Sequence, residues 1–337
     1  MKKHFIYPLL LLGIFTLFSS CKKEIPVRTE SSAPVVTRDL AMEYYKKGRE
    51  HFLKFTRKDV LSAIEYFEKA IKIKPDFALA IAANSEAYAY YAFHIERNGM
   101  SADRHFQKAK QLARQALQIN PQSAEAHRAL GWYYFAYGVY PKALQNARQA
   151  AAINPQDPEC AFLIWAAGSA EELDSPELKK ALKAGYIIAL MNAGSLARRK
   201  KLFDEAIQYF QSVIKLVPNH AHAYVNIGNV YLLKKEPEKA LEFYKKALDL
   251  YHDDSYIYFN YAAAYVVLKD YRKAEEFYKK AVALNKTFYK AHLMLMKLYK
   301  FELNNPQLFA FHRNEAAKIK REQQITQMNR IREAGIN

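Results

Sequence analysis

The sequence predicts an all-α solenoid, in which helical hairpins stack side by side. A fixed spacing of 34 residues relates Ala206, Ala240 and Ala274; Asn192, Asn226 and Asn260; Tyr231 and Tyr265; and Tyr244 and Tyr278. A fixed period of this length indicates an array of repeated supersecondary units. The composition agrees, because the chain is 51% hydrophobic and has only 10 glycines in 337 residues. Such a composition excludes a disordered chain.

The residue types within one period explain why each unit should be a hairpin. Alanine or glycine at three positions lets two helices approach closely, and aromatic side chains fill the space beside them. Proline near the end of the period stops the second helix. One complete set is Leu130, Gly131, Tyr134, Ala143, Ala150 and Pro155.

This pattern resembles the tetratricopeptide repeat, a helical hairpin of 34 residues. The resemblance spans nearly the whole chain after its first 38 residues. It implies a right-handed superhelix of about seven to eight hairpins with a C-terminal capping helix. It also implies one long concave surface, built from the first helix of each hairpin.

Two segments depart from the period, and each leaves two interpretations open. An insertion near residues 91–103 either lengthens both helices of its hairpin or forms a projecting loop. Residues 158–186 form either a shortened helical pair or a hinge between two sets of repeats. The predicted organisation is a signal peptide (1–20), a flexible tether (21–38), repeats 1–3 (39–157), a degenerate helical pair (158–186), repeats 5–8 (187–305) and a capping helix (306–337).

The N-terminus has the three zones of an export signal. Lys2 and Lys3 precede an apolar run from Phe5 to Phe18, and small residues then lead to Cys21. The run is shorter than the ~20 residues that span a membrane, so we expect cleavage. The last residues resemble the lipobox of bacterial lipoproteins, with Phe18 where leucine is usual, which implies a lipid on Cys21. We therefore expect a lipid-anchored protein of the cell envelope, with the outer membrane favoured over the inner. The alternatives are a soluble secreted protein and an uncleaved signal anchor.

The concave surface is the predicted binding site for a partner. The residues expected to face it are Arg128, Trp132, Phe135, Val225, Asn229, Leu232, Tyr256, Phe259, Asn260, Lys290 and Leu293. Their mixture of apolar, amide and basic side chains suits an extended or helical protein segment with some acidic character. Asn229, Asn260 and Lys290 also match three of five positions at which some tetratricopeptide domains grip a terminal carboxylate.

No motif in the chain predicts catalysis. A nucleophile elbow, a phosphate loop and a zinc-protease motif are all absent, so we expect no enzyme activity and no cofactor. His220 and His222 lack a third ligand nearby in sequence, which disfavours zinc. Cys160 stands among apolar residues and is expected to be a buried thiol.

The formal charge of +17 at pH 7 raises the question of nucleic acid. We expect none, because export removes the chain from cytoplasmic nucleic acid and the lysines are scattered beside glutamates. The favoured function is a membrane-tethered adaptor that binds another protein, for example within an envelope assembly or secretion complex. The alternative is a lipoprotein that binds glycan or cell wall, because the chain has 25 tyrosines and aromatic faces stack on sugars. A regulatory arm of a separate membrane enzyme also remains open.

Overall fold

The structure is a computed structural model that describes residues 35–97, 101–168, 170–333 and 335. This part of the chain forms sixteen α-helices and no strand. Cys21 and the predicted signal peptide lie outside the described residues, as does most of the predicted tether. None of the helices in the described part has the length and apolar character needed to span a membrane.

The helices pair in chain order into eight hairpins. Their bounds are α1 (Val35–Phe52) with α2 (Arg57–Ile73), α3 (Ala78–Arg97) with α4 (Asp103–Ile119), α5 (Ala124–Ala136) with α6 (Tyr140–Ile153), α7 (Pro158–Gly168) with α8 (Pro176–Lys183), α9 (Ile187–Arg199) with α10 (Phe203–Leu216), α11 (Ala221–Leu233) with α12 (Pro237–Leu250), α13 (Ser255–Val267) with α14 (Tyr271–Leu284), and α15 (Tyr289–Phe301) with α16 (Pro306–Glu333). Each second helix also packs against the first helix of the next hairpin. The predicted all-α solenoid with a terminal helix is confirmed.

Glycine in the first helix of several hairpins allows the close approach of the two helices. A Cβ atom built on Gly228 would lie 2.5 Å from the ring of Tyr244, and one on Gly194 would lie 2.6 Å from the ring of Phe210. Both rings are fully buried, as are the repeated alanines at 206, 240 and 274. The repeated small residues and the repeated aromatic residues therefore pack against each other.

The turns between paired helices also repeat. Lys201, Lys235 and Lys269 have φ between 61° and 64° and are spaced by 34 residues. At each turn a backbone N–H reaches five residues back, as in the 2.9 Å bond from Glu236 to the carbonyl of Tyr231. This left-handed residue reverses the chain and satisfies the last carbonyls of the first helix.

The irregular segments remain helical. Residues 91–97 continue α3, which is 20 residues long, and α4 begins at residue 103, so the described part of the insertion lengthens its hairpin. Helices α7 and α8 have only 11 and 8 residues. Helix α1 begins at residue 35, so the last four residues of the predicted tether are helical.

Helix α16 is the longest element, with 28 residues. Its first half packs on α15, and Ile319 is its last buried apolar residue. Residues 320–329 are all exposed, and Arg330 is then buried against Glu96 at the end of α3. The first half of the terminal helix therefore covers α15, and its second half bridges back to the second hairpin.

Candidate binding cleft

The first hairpins bend back to contact the later ones, and a recess lies between the two sets of hairpins. The guanidinium of Arg57 donates a hydrogen bond to the hydroxyl of Tyr251 and lies 5.9 Å from the centre of its ring. The rings of His94 and His222 are 6.0 Å apart. These contacts join the first two hairpins to the sixth, across more than 120 residues of sequence.

Between these contacts lie two adjoining cavities of about 450 and 280 Å³, which we call the closure cleft. One side consists of the start of α2 and the end of α3. The other side consists of the end of α12 and the starts of α11, α13 and α15, with Gln323 of α16. Residues that line the cleft include Arg57, Lys58, Leu61, His94, Ile95, Glu96, His222, Tyr251, Asp253, Asp254, Tyr256, Phe288, Lys290 and Gln323.

Charges of both signs line the closure cleft. Burial works against ionisation of Asp254, but hydrogen bonds from His222 and from the backbone N–H of Tyr256 outweigh it and lower the pKa of Asp254 to about 2. His222 Nε2 lies 3.0 Å from Asp254 Oδ2. Lys58 and Lys290 are exposed at opposite sides of the cleft. A ligand here would meet fixed carboxylates as well as movable ammonium groups.

His220 also lines the cleft and is 4% exposed. Burial, with the nearby His222, lowers its pKa to about 3, so the ring is neutral near pH 7. Its Nδ1 accepts a hydrogen bond from the backbone N–H of Ala223 and thereby caps α11. Among the described residues, no group of histidine, cysteine or acidic side chains is arranged to hold a metal ion.

The structure places some of the predicted groove residues at or near the cleft. Tyr256 and Lys290 line it directly. Leu232, Phe259 and Leu293 are half-buried on α11, α13 and α15, the inner helices of the last three hairpins. The ring of Phe259 lies 5.0 Å from that of Phe288, which lines the cleft. The C-terminal hairpins therefore retain an accessible, partly apolar inner face.

In the N-terminal hairpins, ion pairs fill the inner face. Arg128 Nε donates to Glu86 Oε1 at 2.6 Å, and another nitrogen of Arg128 bonds Asp157. Arg49 joins the same Glu86 at 3.0 Å and also bonds Glu159. We call these five residues the inner network, and it connects α1, α3 and α5 to the beginning of α7.

The inner network is shielded from solvent. The Glu86 side chain is 0% exposed and that of Arg128 is 6% exposed. Burial disfavours the charge on Asp157, but Arg128 and hydrogen bonds from Glu159 and Cys160 lower its pKa. Cys160 itself is fully buried, and burial raises the pKa of its thiol, so it is an unreactive packing residue.

Five of the predicted groove residues are buried in the interior of the protein. Arg128 belongs to the inner network, and Trp132 is 2% exposed with its ring 5.9 Å from that of Phe162. Val225 is fully buried. Asn229 accepts a hydrogen bond from Tyr244, and Asn260 donates one to the carbonyl of Tyr256. These side chains are not accessible to a partner, so they are left out of the site that we propose.

Phe135 is half-buried and lies 5.6 Å from Trp132 and 5.7 Å from Tyr140, between ring centres. The Trp132 indole is thereby enclosed, which leaves its face unavailable for stacking on a sugar. Sequence reasoning missed Arg57, His94 and Glu96 as cleft residues. These residues reach the cleft because the rotation between neighbouring hairpins adds up over several hairpins. No single position in the repeat indicates that total rotation.

Comparison with known families agrees with this architecture. Four models described as "Tetratricopeptide repeat" match residues 55–77, 101–164, 186–253 and 255–288, which together make up more than half of the chain. The chain belongs to the tetratricopeptide repeat proteins. A search of curated proteins by sequence gives no match.

Solved structures with the same fold include the Cut9–Hcn1 hetero-tetramer of the APC/C and IFIT1. The Cut9–Hcn1 match has a TM-score of 0.65 and 17% identity, and it covers 90% of this chain and 57% of the other. A monomeric IFIT1 mutant with m7Gppp-AAAA has a TM-score of 0.60 and 17% identity, and covers 92% and 76%. The human IFIT1 dimer with PPP-AAAA has a TM-score of 0.57 and 16% identity, and covers 89% and 87%. At this identity the likeness concerns the fold alone.

Proposed function

We propose that this tetratricopeptide repeat protein is a membrane-tethered scaffold that binds a segment of another protein at the closure cleft and the adjoining inner face of α11, α13 and α15. The observation that supports this is the inner row of Leu232, Phe259 and Leu293, which are only partly buried on α11, α13 and α15. In a solenoid, this concave side is where a peptide or helix meets several repeats at once.

The chemistry of the site favours a protein segment over nucleic acid. The cleft contains Asp253 and Asp254 as well as Lys58 and Lys290, so it is not a continuous basic channel for phosphates. Many lysines elsewhere are neutralised on their own helices, as in the bond of 2.6 Å from Lys279 to Glu275. A segment with alternating apolar and acidic residues fits the apolar row and the exposed Lys290.

Attachment to a membrane is the second part of the proposal. It is supported by the sequence before Cys21, whose basic, apolar and small zones have the order of a lipoprotein signal. A cleaved and lipidated Cys21 would hold the solenoid at the envelope, and the outer membrane is the favoured site. Two or more acyl chains would make this attachment essentially permanent.

Two experiments test the two parts separately. For the anchor, metabolic labelling with a clickable palmitate analogue should label the wild type and leave the Cys21→Ser variant unlabelled. Equal labelling of both proteins would overturn lipidation at Cys21.

For the cleft, partners crosslinked in intact cells of the native host are compared between Lys290→Glu and Lys245→Glu. Lys245 is exposed on the outer helix α12 and serves as the matched control for the change in charge. We expect Lys290→Glu to reduce recovery of a specific protein and Lys245→Glu to leave it unchanged. If both variants recover the same proteins as the wild type, the closure cleft is not the binding site.

A further inference from the structure

The second half of α16 has its polar side turned toward the solenoid and its apolar side turned outward. Gln323 lines the closure cleft, and Nε2 of Gln327 donates to the carbonyl of Gly138 at 3.3 Å. Arg330 follows on the same side and bonds Glu96. Ile325, Met328 and Ile331, spaced by three residues, instead form a stripe on another side of the helix. We call this the outer stripe.

The outer stripe is open to solvent. The exposed fractions are 50% for Ile325, 60% for Met328 and 38% for Ile331. A surface helix normally places its apolar stripe on the protein and its polar side in water. Between Ile319, the last buried apolar residue, and Arg330, the polar side of α16 faces the solenoid and the apolar side faces water. Packing within the solenoid therefore does not account for the apolar stripe.

Basic side chains accompany the outer stripe. Lys318, Arg321 and Arg332 are exposed and lie on the same side of the helix by the period of 3.6 residues. In the described part of the chain, none of these three forms an ion pair, whereas Lys279 and Lys280 on α14 both do. The outward side of this helix therefore combines apolar groups with uncompensated positive charge.

We propose that the outer stripe docks on an anionic lipid bilayer, with Ile325, Met328 and Ile331 at the acyl boundary and the three basic side chains at the headgroups. Amphipathic helices with basic flanks bind membranes in this way. The inference rests on the proposed attachment through Cys21, because a tether raises the local concentration of bilayer so that a weak contact suffices.

The small size of the stripe favours a bilayer over a second copy of the chain. A stable protein interface buries ~800 Å² on each partner, and three half-exposed side chains provide far less. The positive charge also opposes self-association, since an antiparallel pair of these helices would bring like charges together.

The test uses the unlipidated mature chain from Lys22, which retains every described helix. Flotation with phosphatidylcholine vesicles containing phosphatidylglycerol is compared with flotation on phosphatidylcholine alone. We expect binding to the anionic vesicles, weakened at high salt, and reduced about tenfold in the variant I325Q/M328Q/I331Q. Glutamine keeps the helix propensity high, and circular dichroism checks that the helix remains.

The matched control is L233Q/V267Q/L284Q, which removes three comparably exposed apolar side chains from other surfaces and should bind like the wild type. The variant K318Q/R321Q/R332Q should lose the preference for anionic vesicles. Wild-type protein that does not float, or an outer-stripe variant that floats as well as the wild type, would overturn the proposal. The proposal would also be overturned if sedimentation showed that the wild type is a dimer and that only the outer-stripe variant is a monomer. The stripe would then bind a second copy of the chain.

This test is independent of the anchor, since the protein used carries no lipid. Failure of flotation with normal palmitate labelling at Cys21 rejects the outer stripe alone. Flotation without labelling at Cys21 rejects the anchor and leaves the stripe as a membrane contact.

Discussion

Nη1 of Arg330, on the last helix, lies 3.0 Å from Oε2 of Glu96, which lies in the last turn of the third helix, 234 residues earlier in the chain. The same guanidinium lies 4.7 Å from the ring centre of Tyr137 and 5.1 Å from that of Phe106. Because the guanidinium contacts two aromatic rings and a carboxylate, it fixes the position of the C-terminal end of α16. This contact joins the last helix to the second hairpin beside the closure cleft.

We predict that Glu96→Gln loosens the end of α16, because Arg330 loses its carboxylate while the rings remain. Hydrogen exchange of residues 325–333 should become faster, with little change in α15. The charge-exchanged double variant E96R/R330E should restore part of the protection. The control is Glu322→Gln, an exposed acid on the same helix, which should not change the exchange. Unchanged exchange in Glu96→Gln would mean that this contact does not hold the helix.

The inner network gives a prediction for stability. Replacing Arg128 by Met leaves the carboxylates of Glu86 and Asp157 buried without their main cation. Breaking a buried ion pair on one side costs about 3–5 kcal/mol, so the free energy of unfolding in urea should fall by an amount of this order.

The matched comparison for Arg128 is Lys47→Gln. It removes an exposed pair with Glu43 and should leave the free energy of unfolding nearly unchanged. Equal effects of the two substitutions would show that the inner network contributes no more than a surface pair.

Close packing at the repeat glycines gives a third prediction. Gly228→Ala introduces a Cβ atom where the ring of Tyr244 already lies, so helices α11 and α12 must move apart. Overpacking of this kind costs about 1–3 kcal/mol, which thermal or urea unfolding will measure. Gly168→Ala is the control, since its Cβ atom would meet Leu144 at an ordinary 3.5 Å. A fully stable Gly228→Ala protein contradicts the packing described.

Acid should destabilise the protein through its buried histidines. Burial, with the neighbouring His292, lowers the pKa of His312 to about 4, and the pKa of His220 is about 3. An unfolded histidine has a pKa of about 6.5. The folded state therefore binds fewer protons, and its stability is complete above pH 6.5 and falls as the pH decreases toward 4.

The test is the urea midpoint at pH 7.5 and at pH 4.5. His220→Asn keeps a good N-cap for α11 but cannot titrate, so the loss between the two pH values should become smaller. His252→Asn, at an exposed site, should leave the pH dependence unchanged. A wild-type midpoint that does not decrease at pH 4.5 would argue against buried neutral histidines.

The sequence predicted the local units well and their arrangement less well. The spacing of Ala206, Ala240 and Ala274 was sufficient to predict the hairpins, because that packing depends on residues within one period. The burial of Trp132 and Arg128 could not be predicted, since it requires α1, α5 and α7 to converge through the accumulated twist of four hairpins. The contact of Arg330 with Glu96 depends in the same way on the curvature of the whole array.

The central proposal is that the closure cleft, rather than the outside of the solenoid, receives a protein partner. The most direct measurement is photocrosslinking in intact cells of the native host, with a photoreactive phenylalanine analogue at Lys290 and, separately, at Lys245. The account predicts a discrete adduct with another protein from position 290 and none from position 245. The absence of an adduct at 290, or the same adducts from both positions, would contradict it.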